Sequence, residues 1–316
     1  MNIIPSVNLK DFTSNDATKK QQFVEAIGKA YEEIGFVALK GHFLDETLVE
    51  NLYKEVKNFF DLPLETKQKY EIPGIGGQRG YVSFGKESAK GKKEGDLKEF
   101  WHFGQYVEDN EALKNEYPDN VIVEELPEFN AIGKEAYKML EKTAKYVLRA
   151  LAIYLGLEET YFDNYIHNGN SILRPIHYPP ITQEPKDAVR AAAHGDINLI
   201  TLLMGAQGRG LQVQNHKGEW IDAIAEPDEL MINVGDMLSR HTNNKLKSTI
   251  HRVINPPREL WGTSRYSIPF FMHSISDMKL NVLENCVDEN NPKAFDDITA
   301  GEFLTERLIE LGLIKK

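Results

Sequence analysis

After about residue 171 the chain breaks into short apolar or β-branched runs, at 172–174, 198–204, 211–214, 230–234 and 266–272, each set off by turn residues. Runs of this length at this spacing bury their apolar sides by closing a sandwich or a barrel. Asn215-His216-Lys217-Gly218 separates the run at 211–214 from Glu219-Trp220-Ile221 in the manner of a hairpin turn. The second half of the chain is therefore expected to be a β-core.

The first half reads differently. Phe23, Ile27, Ala30 and Ile34 recur at helical spacing over 15–31, and Gly35 supplies a stop before a short strand at 36–39. A second helix is expected through Thr47, Leu48, Leu52, Val56, Phe59 and Phe60, ending before Leu62-Pro63. A third, over 127–157, carries Ile132, Ala136, Met139, Leu140, Thr143, Val147, Leu148 and Leu151 on one stripe and is closed by Gly156. These helices are expected to back a sheet. The glycines and lysines of 72–95 predict a loop region. The expected fold is α+β with a β-rich core. It forms one domain with a helical and loop region over 1–165, the core over 166–280 and a C-terminal helical extension over 281–316.

Charge and cysteine content narrow the function classes. A formal net charge of −11 disfavours a nucleic-acid or anionic-membrane surface, which needs clustered Lys and Arg, so a small-molecule partner is expected. Cys286 is the only cysteine, which excludes an internal disulfide and a multi-thiolate metal site. No basic segment with a long apolar run opens the chain, and no run of about eighteen apolar residues occurs anywhere, so a soluble, cytoplasmic protein is expected.

The stretch AAAHGDINLITLL, residues 191–203, places His194 and Asp196 two positions apart where an alanine run meets an apolar one. If this stretch is extended, both side chains project to one face and reach one cation. Taken alone, His-x-Asp fits a turn or cap equally well. His251, in the strand-like LKSTIHRVINPP, is the best third ligand. Two imidazoles and one carboxylate leave coordination positions open, which suits a non-haem Fe(II) that binds a cosubstrate and O₂; a structural zinc would be closed by four ligands. In TSRYSIPFF, alternation sets Arg265 and Ser267 on one face, where a guanidinium fork and a hydroxyl could clamp a carboxylate.

With these residues in hand, the chain resembles the isopenicillin N synthase-like Fe(II)/2-oxoglutarate-dependent oxygenases. The matching stretches run in order along nearly the whole chain: RGYVSFGKE, DLKEFWHFG, LRPIHYPP, HGD, GLQV, INVGDMLSRHTNNKLKSTIHRV and RYSIPFF. The resemblance implies a double-stranded β-helix, or jelly roll, with the N-terminal and flanking helices packed outside it. It further implies iron on His194, Asp196 and His251, and the distal carboxylate of 2-oxoglutarate on Arg265 and Ser267, with Tyr178 also touching this cosubstrate. The implied reaction consumes O₂ and 2-oxoglutarate, releases succinate and CO₂, and oxidises a substrate C–H bond, normally by hydroxylation. Desaturation and ring closure start in the same way, and ascorbate serves as reductant in vitro.

Two departures stand out. Gly195 replaces the more usual Thr inside His-x-Asp, on the side facing away from the metal, and His241 stands where an apolar or aromatic residue is frequent; it is expected beside the site or at the surface rather than as a ligand. For the substrate, Arg79 and Tyr81 of RGY and Arg174 are candidates, with a solvated charge or an internal ion pair as the plainer role for the arginines. His102 and Phe103 line the mouth or pack in the core. Parity along 265–273 points Phe271 inward, with His273 near the rim, against substrate or simply solvated. Two relatives of the group keep the Arg-x-Ser pair without using 2-oxoglutarate, so a cosubstrate-independent oxidase or cyclase is the alternative enzyme, and a metal-free binding module the alternative from another class.

Overall fold

A computed structural model describes residues 4–86, 96–109, 111–182, 184–185, 189–204 and 210–310, and all structural statements below concern these residues. The first half contains β1 (Ser6–Asn8), α1 (Leu9–Thr13), α2 (Ala17–Glu33), β2 (Phe36–Lys40), α3 (Glu46–Phe60), α4 (Leu64–Gln68), β3 (Gly80–Val82), β4 (Glu99–Gly104) and α5 (Pro127–Tyr154). After α6 (Asp163–Ile166) come β5 (Ile172–Leu173), β6 (Ile176–Tyr178), β7 (Ala191–His194), β8 (Ile200–Met204), β9 (Leu211–Gln214), β10 (Trp220–Asp222) and β11 (Leu230–Val234). The chain then forms α7 (Asp236–His241), β12 (His251–Val253), β13 (Arg265–Met272) and α8 (Ala300–Glu310).

The helices start and stop where side-chain chemistry dictates. Asp16 accepts from the Thr18 and Lys19 amides and opens α2, and Asp45 accepts from the Leu48 amide and opens α3. Gly35 ends α2 at a φ of 71°, where a Cβ would also run into the Lys247 carbonyl.

The strands form two sheets. The larger has nine strands in the order β1-β2-β11-β8-β13-β5-β4-β3, with β6 paired to β13 and β4; the smaller runs β10-β9-β12-β7. Val213 of the small sheet packs on Phe36, Ala38 and Met231 of the large one, so the sheets face each other as in a double-stranded β-helix. The outer face of the large sheet is covered by the long helices: α5 lies across β8 and β13, and α2 and α3 pack on α5. Leu202, Ile232, Ile268 and Phe270 are fully buried under them, each contributing roughly 1.5–3 kcal/mol through burial. Phe59, Trp101 and Phe129 close this layer, with ring centroids 4.9–5.4 Å apart.

Two expectations are corrected. The stretch expected as loop contains β3, whose register with β4 sets Tyr81 opposite Trp101; three residues carry no readable period, and the strand exists because β4 offers it an edge. Residues 87–95 of that stretch lie outside the described residues. The division at 165 and 166 also does not separate helices from sheet, because β1, β2, β3 and β4 all join the large sheet. Beyond 281 the chain is mostly irregular until α8.

Candidate active site

β7 ends at His194, so Asp196 lies just past the strand rather than on it, and the expectation of an extended 193–198 stretch fails. The convergence survives for another reason. The chain turns between β7 and β8, one strand in each sheet, and the turn carries Asp196 inward while β12 pairs His251 directly with His194. One ligand atom from each of His194, Asp196 and His251 lies within 4.8 Å of the others. Asp196 Oδ1 is 3.9 Å from His194 Nε2 and 3.7 Å from His251 Nε2. A Cβ on Gly195 would point toward Asp236 and Ser248, away from this cluster.

The remaining atoms of the three side chains are already engaged. His194 Nδ1 bonds the Ala192 carbonyl at 2.7 Å and His251 Nδ1 the Thr249 carbonyl at 3.1 Å, which places the ring proton on Nδ1 and the lone pair on Nε2. Asp196 Oδ2 accepts from Thr201 Oγ1 at 2.6 Å and Asn233 Nδ2 at 2.7 Å, leaving Oδ1 toward the imidazoles. Burial works to raise the Asp196 pKa, but His251, His194, Asn233 and Thr201 together hold it below the usual carboxylate range. The His194 ring is walled by protein on most sides yet 44% exposed at its open edge; the surrounding protein and the neighbouring His251 lower its pKa to about 4, so it is neutral. Two imidazoles and an ionised carboxylate, each with one unused donor atom, fit a divalent cation with open coordination positions. Thr201 and Asn233 carry no motif. Asn233 did leave a trace, as a polar residue inside the apolar run of β11.

Arg265, Ser267 and Tyr178 come together next. β13 pairs Arg265 with Tyr178, and all three residues are buried. The Arg265 guanidinium lies 5.0 Å from the centre of the Tyr178 ring, and its Nε and Nη1 have no hydrogen-bond partner among the described residues. A buried guanidinium left unsatisfied is costly, and a carboxylate is the group that fits its fork.

Two family models cover most of the chain: a non-haem dioxygenase N-terminal region matches residues 4–125, and the 2OG-Fe(II) oxygenase superfamily matches 167–274. A "2-oxoglutarate-Fe(II) type oxidoreductase" of Aspergillus fumigatus is 30% identical over 96% of this chain and 91% of its own length. The chain belongs to the 2OG-Fe(II) oxygenase superfamily. A solved 2OG-Fe(II) oxygenase family protein from Caulobacter crescentus is 42% identical to this oxygenase, covers 98% of it and 100% of itself, and superposes with a TM-score of 0.89. A full-length Neurospora crassa protein, solved with alpha-KG and also with alpha-KG and thymine, is 28% identical; its alpha-KG complex covers 98% of this chain and 96% of itself at a TM-score of 0.86. The oxygenase uses Fe(II) and 2-oxoglutarate, and the two donor sets are compatible with them.

Other residues singled out in this oxygenase fall elsewhere. Arg79 is fully buried against Gly104, where a Cβ would meet its guanidinium, and donates to the Gln78 carbonyl and Gln105 Oε1. Tyr81 donates to Glu99, which also accepts from Lys67 Nζ at 2.8 Å and His177 Nδ1 at 2.8 Å. His177 precedes Tyr178 and stacks on Tyr266 at 4.8 Å, so this network braces the outer side of the β6–β13 pair whose inner side holds Tyr178 and Arg265. Phe103 packs in the core against Phe129.

His241 is buried rather than at the surface, and its Nε2 bonds the Tyr161 hydroxyl at 2.9 Å; it is not part of the His194, Asp196 and His251 cluster. Burial lowers its pKa to about 4. A histidine that binds its proton only below that value when folded, but near 6.5 when unfolded, favours unfolding on acidification. Stability is full above the unfolded value and falls as pH drops through it toward 4. Between pH 7.5 and 5 we expect His241 to account for a loss of roughly 2 kcal/mol. Denaturant titrations at the two pH values should show a smaller loss for His241→Gln than for the parent.

Proposed function

We propose that His194 Nε2, His251 Nε2 and Asp196 Oδ1 hold the iron, and that Arg265, Ser267 and Tyr178 receive the distal carboxylate of 2-oxoglutarate. The observation that carries this reading is directional: every other polar atom of the triad is engaged, so the three unused donors share one focus. Bound iron supplies the centre where 2-oxoglutarate and O₂ react, giving succinate and CO₂ with oxidation of a substrate C–H bond. The chain's part is to aim Nε2 of both imidazoles at one point, orient Asp196, anchor the cosubstrate at its far end and hold one C–H bond near the metal.

The substrate is a small molecule bearing a carbonyl or carboxylate acceptor, hydroxylated at an unactivated carbon. Arg174 supports this. Its guanidinium lies 4.5 Å from the centre of the Phe100 ring and 5.1 Å from that of Phe271, with Nε 2.5 Å from His102 Nε2. His102 in turn bonds the Gly77 carbonyl through Nδ1 at 2.7 Å, which fixes it as the neutral acceptor for Arg174. Burial lowers the His273 pKa to about 4, so it is neutral, and it lies within electrostatic reach of both Asp196 and Arg174. Arg174, Phe271 and His273, all half-buried, thus form the substrate wall, with His273 just past the end of β13. Thymine, bound by the Neurospora relative, bears carbonyl acceptors of the kind such a wall would take. Arg79 and Tyr81 act through the packing behind this wall. The acidic net charge and the single, buried Cys286 fit a cytoplasmic enzyme of small molecules better than a partner of nucleic acid or membrane surface.

The test is a screen of amino acids, peptide or polyketide intermediates and pyrimidine bases under Fe(II) and ascorbate, read as succinate formed above the uncoupled background. With a substrate found, His273→Ala should lose substrate-coupled turnover and keep uncoupled 2-oxoglutarate decarboxylation. No change in either would remove His273 from the substrate wall.

A further inference from the structure

Arg265 is not the only buried guanidinium against Tyr178. Arg190, immediately before β7, is 4% exposed, and its guanidinium carbon lies 5.7 Å from the centre of the same ring. Its one hydrogen bond is a long one, from Nη2 to the Thr263 carbonyl at 3.4 Å, and its Nε has no partner among the described residues. No described carboxylate pairs with either arginine. Burial and the charge of Arg265 draw the Arg190 pKa down to about 10, so the two cations repel across this space. Two like charges held out of water, each with unsatisfied N–H groups, are a poor arrangement for a ligand-free protein and a good one for a protein that binds an anion between them.

Position along the strand agrees. Arg190 stands four residues before the metal-binding candidate His194, at most about 14 Å of extended chain. A five-carbon dicarboxylate held by a metal at the triad has a distal carboxylate to place, and the two arginines on the Tyr178 ring are buried cations with no carboxylate partner of their own among the described residues.

We propose that Arg190 is a second cationic contact for the distal carboxylate of 2-oxoglutarate, so that Arg190 and Arg265 together select a 2-oxo acid that ends in a carboxylate. The proposal rests on the reading of Arg265 and Ser267 as the cosubstrate grip, and deepens it. Its consequence is an exchange: charge that costs the ligand-free protein stability is returned when the dicarboxylate binds.

The experiment uses the anaerobic Fe(II) protein and two ligands, 2-oxoglutarate and 2-oxopentanoate, which has the same carbon chain without the distal carboxylate. Dissociation constants come from the charge-transfer absorbance that chelation produces, and thermal midpoints are recorded with and without ligand. Arg190→Met should weaken 2-oxoglutarate binding by at least ~10-fold, leave 2-oxopentanoate binding and iron content as in the parent, and keep or raise the ligand-free midpoint. Arg190→Lys should recover part of the lost affinity. Parental 2-oxoglutarate affinity in Arg190→Met would overturn the proposal. Equal weakening of both ligands, or a ligand-free midpoint lowered by several degrees, would also overturn it, showing that Arg190 serves only to hold the Thr263 segment. Parental protein that does not discriminate between the two ligands would overturn the Arg265 reading beneath it as well.

Discussion

Replacing His251 with alanine is expected to abolish succinate formation and to strip the iron while leaving a folded chain; His194→Ala and Asp196→Ala should behave alike. The reason lies in how little else the site offers. Among the described residues, these three are the group of His, Cys, Asp and Glu side chains placed to hold one ion, and each contributes a single outward atom. Removing one leaves two donors, too few to retain a divalent ion that already keeps several positions open. The fold does not depend on that ion in the way a zinc finger depends on zinc. Its stability resides in the large sheet and in the α2, α3 and α5 layer, which bury their own core. Iron content, succinate yield and far-ultraviolet circular dichroism of each variant check the three parts. His251→Ala with full iron and activity, beside His241→Ala with neither, would falsify the assignment.

Arg265→Lys is expected to weaken 2-oxoglutarate binding by roughly 10- to 100-fold, with iron retained, and Arg265→Ala by more. Lysine keeps the charge but not the planar fork, and losing a charge-assisted pair of hydrogen bonds in a buried setting costs about 1.5–3 kcal/mol. The lysine would also lie against Tyr178 without the guanidinium's contact on that ring. Anaerobic titration of the Fe(II) protein separates this from a metal defect. Unchanged affinity in both variants would point to an enzyme that does not use the clamp for this cosubstrate.

Much of this site is legible along the chain because its parts are local. His194 and Asp196 are two residues apart, and Arg265 and Ser267 occupy one side of a strand whose alternation can be read directly. An extended stretch would bring the first pair to one face by alternation, but the chain leaves the strand at His194. His-x-Asp works here because a turn between sheets aims Asp196 inward, and no periodicity reports a turn of that kind. Arg190 and Arg174 illustrate the opposite limit. In the sequence each is an isolated arginine; only the pairing of β6 with β13 shows that Arg190 shares an aromatic ring with Arg265, and only the approach of β4 to β5 and β6 sets His102 and Phe100 around Arg174.

The sequence by itself indicated the three long helices, the glycine that stops the first of them, the β-core and the candidate metal and clamp residues, because these depend on side-chain periodicity and on donor chemistry that neighbouring residues express. Tertiary structure alone decided which atom of each ligand remains unused. It also placed Asn233 and Thr201 behind Asp196, recruited β1 through β4 into the large sheet and set Arg190 over the same Tyr178 ring as Arg265. Those outcomes are contacts between segments far apart in the chain, set by strand register and by the requirement that buried polar groups find partners, and neither is written in any local pattern.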